Sequence, residues 1–440
     1  MKNYRIMRVN SWHPSFDDFY YKRNLCAFPY EKVLEELQKN NNVIPGSWSL
    51  CMNTLGNKAV DVIPQFELIQ RHWAKENGIA VEDFNTETRF SLFLAQIRKI
   101  KPDVIFFYAG GFNIVSKQFR MYLKEIFPFI RVITGFWGDE VLDQDYSIFN
   151  DLDLVFTCNN DYKEFMNSAG IPAIVAGNCF DHLVFKDLKD QKVMNQKHDF
   201  VFAGTSGYRY NDHLKRYEDL VYQLSKSQLK AWIYEPPEPR IKKVSLKIKL
   251  KILATNVFSL LKISHLKTLK TIIETICEAN VLSRFIDHTI KIKLNGPLPS
   301  SDPFYWSPKN RPPVKKLFPT KCSSPVFGLE YFSLLKSAKV VYNSSRDEAA
   351  DYSNIRIFEV TGVGTCLITD KPDKIKEFFI PDEEVLTYTS NDECIEKVTY
   401  VLDHEEVRKQ IATKGQARTM SEYTVTHFCE IIDKELRNFA

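Results

Sequence analysis

The sequence predicts two doubly wound α/β domains, each built on a parallel sheet of the Rossmann-like type, facing each other across a cleft. Short apolar, β-branched runs alternate with helical patterns along the chain, which is the signature of βαβ units. A chain of 440 residues is longer than one hydrophobic core ordinarily supports and suits two domains of about 200 residues each. The polar stretch KDLKDQKVMNQKHD has no hydrophobic periodicity and suits a linker, so we place the boundary near residue 190.

The composition excludes several classes of protein. Charged residues make up 26% of the chain, as in soluble globular domains. The 9 cysteines occur without a CxxC pair, which argues against a zinc ribbon or a disulfide framework and favours a reducing cytoplasm. No stretch resembles a signal peptide or a membrane span. A net charge of +4 is too small for a nucleic-acid-binding surface, so nucleic acid is not an expected partner.

Ten strands are predicted, five in each domain. In the first domain, residues 1–190, they are 4–9, 104–108, 132–136, 154–157 and 173–175. In the second domain, residues 191–425, they are 198–205, 231–234, 339–343, 366–369 and 384–387. The last segment, 426–440, predicts a helix that crosses back to the first domain.

Residues 236–325 interrupt the second domain and predict a basic, partly helical insertion. Its part 240–270 is rich in Lys and Arg and has no acidic residue. Ile241, Val244 and Ile248 share one helical face, although the same residues also fit a strand. Such a segment is either a solvated sub-domain or a surface that binds anionic membrane lipid, which would place the protein at the inner face of the membrane.

The most informative stretch, residues 340–370, reads VVYNSSRDEAADYSNIRIFEVTGVGTCLITD. Its pattern predicts a strand, a polar loop over 343–353, a short helix that begins near Asn354, a glycine turn and a second strand. The carboxyl ends of strands are where open α/β sheets bind ligands, and the free N–H groups of the helix point at the same crevice. Such a helix end favours a diphosphate.

Asp351 and Glu359 flank the predicted start of this helix. Seven residues separate them, so both carboxylates can approach one ligand from two sides. Carboxylates accept hydrogen bonds and suit the vicinal hydroxyls of a ribose or hexose. The alternative for Glu359 is a solvated helix position, which its apolar neighbours Phe358 and Val360 disfavour.

The same stretch resembles the sugar-nucleotide half of group 1 glycosyltransferases, in the subgroup similar to the spore maturation protein CgeB. The pattern of that subgroup is approximately N-x-R-h-F-E-x-x-G-x-G. Here it is filled by Asn354, Arg356, Phe358, Glu359, Gly362 and Gly364. Asp351 and Glu359 also resemble the E-x7-E motif of retaining enzymes with the two-domain GT-B fold, with Asp in the first place.

Weaker similarity extends over most of the chain and includes two departures. His213 and Arg216 match an H-x-x-R pattern that follows the first strand of the donor domain. Ser345 stands where relatives tend to carry His, and Tyr423-Thr424 stands where they tend to carry His-Thr.

The resemblance implies a retaining, metal-independent transfer of a sugar from a nucleotide-sugar donor to a hydroxyl. The second acid, Glu359, would hold the ribose diol, and Asp351 would lie near the transferred sugar. Negative charge on the departing diphosphate would be stabilised electrostatically by positive side chains, for which Arg209, Arg216 and Arg356 are candidates. The other predicted donor-binding residues are Asn343, Gly204, Asn354, Gly362 and Gly364.

The acceptor is expected to bind the first domain, beside the turns 110–113 and 135–139. Asp139 is the candidate for receiving the acceptor proton, or else a helix cap, and His13 is the alternative. Asp151-Leu152-Asp153 fits the D-x-D string of metal-dependent transferases but precedes its strand, so neither a metal nor a cofactor is expected.

Two other functions remain open. A nucleotide-sugar epimerase of the same fold would release nucleotide and sugar without an acceptor, and a non-catalytic protein would bind the donor without turnover. The expected acceptor is a glycan, a lipid-linked acceptor or a protein. The expected role is in the synthesis of cell-surface polysaccharide or glycoconjugates.

Overall fold

The computed structural model describes residues 3–11, 20–21, 23–39, 46–108, 112, 115, 117–138, 146–183, 196–208, 214–235, 311–345 and 352–438. Two parallel sheets of six strands, flanked by helices, make up the fold, as the sequence predicts. Both sheets belong to one compact unit. A second unit covers 141–145 and 235–312, of which only Glu235, Arg311 and Pro312 are described.

The first sheet has the strand order β2-β1-β3-β4-β5-β6, and all its pairs are parallel. Its strands are β1 (Arg5–Val9), β2 (Lys58–Val62), β3 (Val104–Tyr108), β4 (Val132–Trp137), β5 (Leu154–Thr157) and β6 (Ala173–Val175). All five residues of β3 are buried and apolar, as expected for a strand covered on both faces.

The second sheet has the strand order β12-β11-β10-β7-β8-β9, again entirely parallel. Its strands are β7 (His198–Thr205), β8 (Lys230–Tyr234), β9 (Cys322–Ser323), β10 (Ala338–Tyr342), β11 (Cys366–Thr369) and β12 (Leu386–Thr387). The sequence predicts an insertion that ends at residue 325. In the structure, however, β9 pairs with β8 at Cys322 and Ser323, so these two residues belong to the sheet.

Fourteen α-helices are described between and around these strands. They are α1 (Tyr30–Lys39), α2 (Trp48–Thr54), α3 (Glu67–Glu76), α4 (Thr86–Ile100), α5 (Lys117–Ile126), α6 (Asn160–Ser168), α7 (Leu214–Lys226), α8 (Val314–Leu317), α9 (Gly328–Lys336), α10 (Ile355–Gly362), α11 (Pro372–Ile375), α12 (Asn391–Asp403), α13 (Glu405–Glu422) and α14 (Val425–Asn438). None of these described helices combines the length and hydrophobicity that a membrane span requires.

Each of the ten predicted strands has a counterpart in the structure, and β2 and β9 are additional. β2 reads KAVDV and lies at the edge of its sheet, and its exposed Lys58 and its buried Asp61 interrupt the apolar pattern. The Asp61 carboxylate is buried and forms an ion pair with Arg8 on the neighbouring strand. A buried charge needs such a partner, and a single sequence does not show it.

The final helix, α14, packs against the first sheet. Its apolar face, which carries Phe428 and Ile432, lies in the same core as Ile6 and Phe106. Tyr4 Oη donates to Asp433 on this helix at 2.8 Å. The C-terminus of the chain therefore closes the core of the first domain.

The two sheets also meet through the loops at the carboxyl ends of their strands. Phe180, after β6, donates its N–H to Tyr423 O at 2.7 Å and accepts from Val425 N at 2.9 Å. Lys374 Nζ, after β11, contacts Asp161 at the start of α6 at 2.9 Å. The carboxyl edges of both sheets thus lie toward the same region.

Candidate functional site

The candidate site lies at the switch point of the second sheet. From β7 the chain builds outward through β8 and β9 on one side, and β10 begins the other side. The carboxyl ends of β7 and β10 are therefore adjacent, and their loops leave in opposite directions. Ligands of open α/β sheets bind in such a crevice. Gly204 and Asn343 lie there, and the helix α10 begins beyond the loop that follows β10.

Asn354 is the N-cap of α10, in extended conformation, and its side chain makes no capping hydrogen bond. Its Oδ1 and Nδ2 atoms are both buried, and neither has a hydrogen-bond partner among the described residues. Buried polar atoms are normally satisfied, so this pair indicates a ligand-binding position. Ile357 N donates to Asn354 O at 3.2 Å, and the N–H groups that precede it lie at the positive dipole end of the helix, where intrahelical partners are lacking.

Arg356 lies in the first turn of α10 and reaches across to the ends of β7 and β10. Its Nη1 donates to Asn343 Oδ1 at 3.0 Å, and its guanidinium lies 5.2 Å from the centre of the Phe202 ring. Its Nε is buried without a partner in the described part of the chain. A Cβ atom on Gly204 would come within 2.1 Å of Nη2, so glycine leaves the space that the guanidinium occupies.

Asn343 is fully buried and holds this arginine in place. Its Nδ2 donates to Thr369 Oγ1 at 2.9 Å, which leaves Oδ1 to accept from Arg356. Asn343, which the sequence predicts to contact the nucleotide-sugar donor, thus contacts the Arg356 guanidinium.

Glu359 lies one turn further along α10 and is only 4% exposed. Its Oε2 accepts a hydrogen bond of 2.7 Å from Tyr331 Oη on α9. Burial raises the pKa of the Glu359 carboxyl to about 7, and the Tyr331 hydrogen bond and the Arg356 charge act in the opposite direction. A carboxyl group whose pKa lies near neutrality, beside an arginine at a sheet edge, is typical of a functional site.

Gly362 and Gly364, at the other end of α10, both have structural explanations. A Cβ on Gly362 would lie 2.3 Å from the Phe180 ring, so glycine allows this contact between the domains. Gly364 has φ of 80° and ends the helix in the left-handed region that favours glycine. That Gly362 and Gly364 contact a nucleotide-sugar donor stays a prediction.

The loop after β10 is anchored by buried charged groups. Arg216 Nε donates to Ser344 O at 2.9 Å, so this arginine binds the loop backbone. Ser345 donates from Oγ to Asp370 at 2.8 Å and from N at 3.1 Å. The Ser345 side chain is therefore turned inward, toward the end of β11.

Several predicted site residues lie outside the described residues. They are Asp351, Arg209, His213, Asp139 and His13. Of the predicted acceptor-side turns, residues 112 and 135–138 are described, and the Phe112 and Trp137 rings pack against each other with their centres 5.6 Å apart.

The D-x-D string binds cationic side chains of its own domain. Asp151 pairs with the buried Arg120 at 2.6 Å, and Asp153 pairs with Lys124 at 2.7 Å. Within the described part of the chain, no group of three His, Cys, Asp or Glu side chains is placed to hold a metal ion.

Sequence reasoning missed three residues that contact this region: Tyr331, Asn159 and Asn178. Tyr331 comes from a separate helix, and the two asparagines come from the first domain. The only local signal was at Asn159, which precedes a helical pattern as an N-cap residue does.

The chain is similar to known proteins in part of its sequence and in its fold. Residues 278–433 match the glycosyl transferase-like family. The fold is similar to that of sucrose-phosphate synthase from Thermosynechococcus elongatus, with 8% identity, a TM-score of 0.54 and 99% of each chain covered. It is also similar to HepE from Anabaena in complex with UDP-glucose, with 11% identity, a TM-score of 0.53 and coverage of 99% of this chain and 100% of that one. No curated protein sequence matches the chain. The two-sheet architecture is the GT-B fold of these neighbours.

Proposed function

We propose that the chain is a glycosyltransferase that takes a sugar from a nucleotide-sugar donor and transfers it to a hydroxyl group. The observation that carries the proposal is the joint position of Asn354, Arg356 and Glu359 at the start of α10, beside the switch point of the second sheet. Two of these side chains have buried polar atoms without a partner among the described residues. The glycosyl transferase-like match includes this helix.

In the proposed complex, the diphosphate lies against the first turn of α10. The N–H groups of that turn and the Arg356 guanidinium would bind its oxygens, because both provide donors and positive charge. The ribose hydroxyls would donate to Glu359. The sugar would extend toward Asp351 and the loops of the first domain.

The proposed reaction breaks the bond between the anomeric carbon and the diphosphate and forms one to the acceptor oxygen. The electron pair leaves with the diphosphate, where Arg356 and the helix end stabilise it. The acceptor hydroxyl proton passes to a base of the first domain, for which Asp139 and His13 remain the predictions. We propose retention of configuration and no metal ion, as the resemblance implies.

A panel of nucleotide sugars and the corresponding nucleoside diphosphates tests the proposal. We expect thermal stabilisation by at least one nucleotide sugar, and UDP-glucose is the first to test because the HepE neighbour binds it. Binding of the native state raises stability by about 2.7 kcal/mol at a ligand concentration of about 100 Kd. Release of nucleoside diphosphate should then require an added acceptor.

Other outcomes of this experiment identify other functions. Release of nucleotide and sugar without an acceptor would favour an epimerase, and binding without any release would favour a non-catalytic protein. Absence of binding to the whole panel would contradict the proposal.

The acceptor class stays a prediction, as does a role in polysaccharide or glycoconjugate synthesis. The basic segment 240–270 lies outside the described residues, and its proposed contact with anionic lipid rests on its composition.

A further inference from the structure

Two asparagines of the first domain hold Ser353, the residue directly before the N-cap of α10. Asn178 Nδ2, after β6, donates to Ser353 O at 2.6 Å. Asn159 Nδ2, after β5, donates to Ser353 Oγ at 3.0 Å. Asn159 and Ser353 are 1% and 2% exposed. Water therefore cannot readily replace the bond between their side chains.

Asn159 links two helix starts through one amide group. Its Oδ1 accepts from Tyr162 N at 3.0 Å and caps α6, while its Nδ2 binds Ser353 before α10. An amide side chain provides one acceptor and two donors, so both contacts can exist together. The cap fixes the orientation of the amide, and the amide in turn fixes the residue that precedes α10.

The nearby ion pair between the domains is a weaker restraint. Lys374 Nζ and Asp161 are 2.9 Å apart, but their side chains are 41% and 23% exposed. Exposed pairs contribute little because water and salt screen them. The contacts at Ser353, of which the one to Asn159 is buried and the one to Asn178 partly buried, are the ones that can set the geometry of the site.

We propose that Asn159 and Asn178 are positioning residues for the donor site, so that the first domain completes a site whose ligand-binding groups lie on the second. This inference rests on the proposed function. Each asparagine acts through Ser353, whose carbonyl and hydroxyl are both fixed, and thereby sets the direction of the first turn of α10. Donor affinity and contact between the domains are then coupled, and the coupling is reciprocal.

Three variants separate these contacts. Asn178→Leu keeps the approximate shape but removes the donor to the Ser353 carbonyl. Asn159→Ser keeps an N-cap residue for α6 and is too short to reach Ser353. Ser353→Ala removes only the hydroxyl, since its carbonyl remains for Asn178. Lys374→Met is the control, because it removes the exposed ion pair and the contact of Lys374 with the Tyr352 ring but neither hydrogen bond at Ser353.

Each of the three variants should weaken nucleotide-sugar binding by about 3- to 10-fold, the scale of one hydrogen bond. Lys374→Met should change it less than about 2-fold. The double variant Asn159→Ser, Ser353→Ala should lose less binding free energy than the sum of the two single variants, because both substitutions remove the same hydrogen bond. Asn178→Leu combined with Ser353→Ala should come closer to the sum of the two single losses, because the two substitutions remove different hydrogen bonds. Unchanged affinity in folded variants, or the reverse pattern of additivity, would overturn the proposal.

Hydrogen exchange without ligand gives a second readout that does not depend on the proposed function. Backbone amides of 357–360 in α10 should exchange faster in Asn178→Leu and Asn159→Ser than in the wild type, with β3 as an unaffected reference. If the wild type binds no nucleotide sugar, the proposed function fails, and this exchange still decides the positioning role. Equal exchange rates in α10 would refute that role.

Discussion

Replacing Arg356 with alanine is expected to lower kcat by about 10²- to 10³-fold, the usual effect of removing one group that stabilises developing negative charge. The guanidinium is fixed by Asn343 and lies over Phe202, so it can stabilise negative charge on the leaving group without reorganising. Arg356→Lys should recover only part of the rate, because an ammonium cannot contact two oxygens in the same plane. Steady-state release of nucleoside diphosphate measures both.

The control for this prediction is Arg131→Ala, since Arg131 is exposed on the first domain and far along the chain from the site. It should leave kcat unchanged. A folded Arg356→Ala enzyme with wild-type kcat would exclude Arg356 from stabilisation of the leaving group.

Replacing Glu359 with alanine is expected to weaken nucleotide-sugar binding by about 1.5 to 3 kcal/mol, which is about 12- to 150-fold. The proposed partners are the ribose hydroxyls, so the bare nucleoside diphosphate should lose a similar amount. Calorimetric titration above neutral pH measures both, because the carboxyl group is then ionised. Unchanged affinity in a folded variant would remove Glu359 from the site.

The pH dependence of binding gives the matched check on Glu359. The pKa of this carboxyl is about 7, and the charged or titratable groups around it are Arg356, Tyr331, Tyr108 and Cys179. Hydroxyl donors prefer the ionised carboxylate, so wild-type affinity should fall as the pH drops below about 7. Glu359→Gln should remove that step. A step of equal size in the variant would assign it to another group.

Stability should depend on pH in the opposite direction. Because the folded pKa of Glu359 lies above its value in the unfolded chain, the folded state binds this proton more tightly. The resulting stability is present below the unfolded pKa and is lost as the pH rises toward about 7. Glu359 thus costs stability in the charge state that the proposed contact with the ribose requires.

The fold was predictable from the sequence because buried parallel strands are continuous apolar runs. β3, VIFFY, and β11, CLIT, need no further context. β2 was not predicted, because the charge of its buried Asp61 is paired with Arg8, a residue far away in sequence. β9 escaped because two residues of an edge strand carry too little pattern, and it follows a proline-rich stretch.

The candidate site could be predicted where it is local in sequence. Asn354 precedes one short helix, and Arg356 and Glu359 lie within it. Their contact with one ligand stays a prediction. Tyr331 and Asn178 reach this region only through tertiary contacts, and the N-cap pattern at Asn159 does not reveal its contact with Ser353. The inward turn of Ser345 likewise depends on Asp370, which lies at the end of another strand.

A crystal structure of the protein with a nucleotide sugar that stabilises it tests the central claim most directly. The account predicts diphosphate oxygens within hydrogen-bond distance of the N–H groups at the start of α10 and of the Arg356 guanidinium, with the ribose hydroxyls on Glu359. A nucleotide bound elsewhere, with Asn354 and Arg356 left without contact to it, would contradict the account.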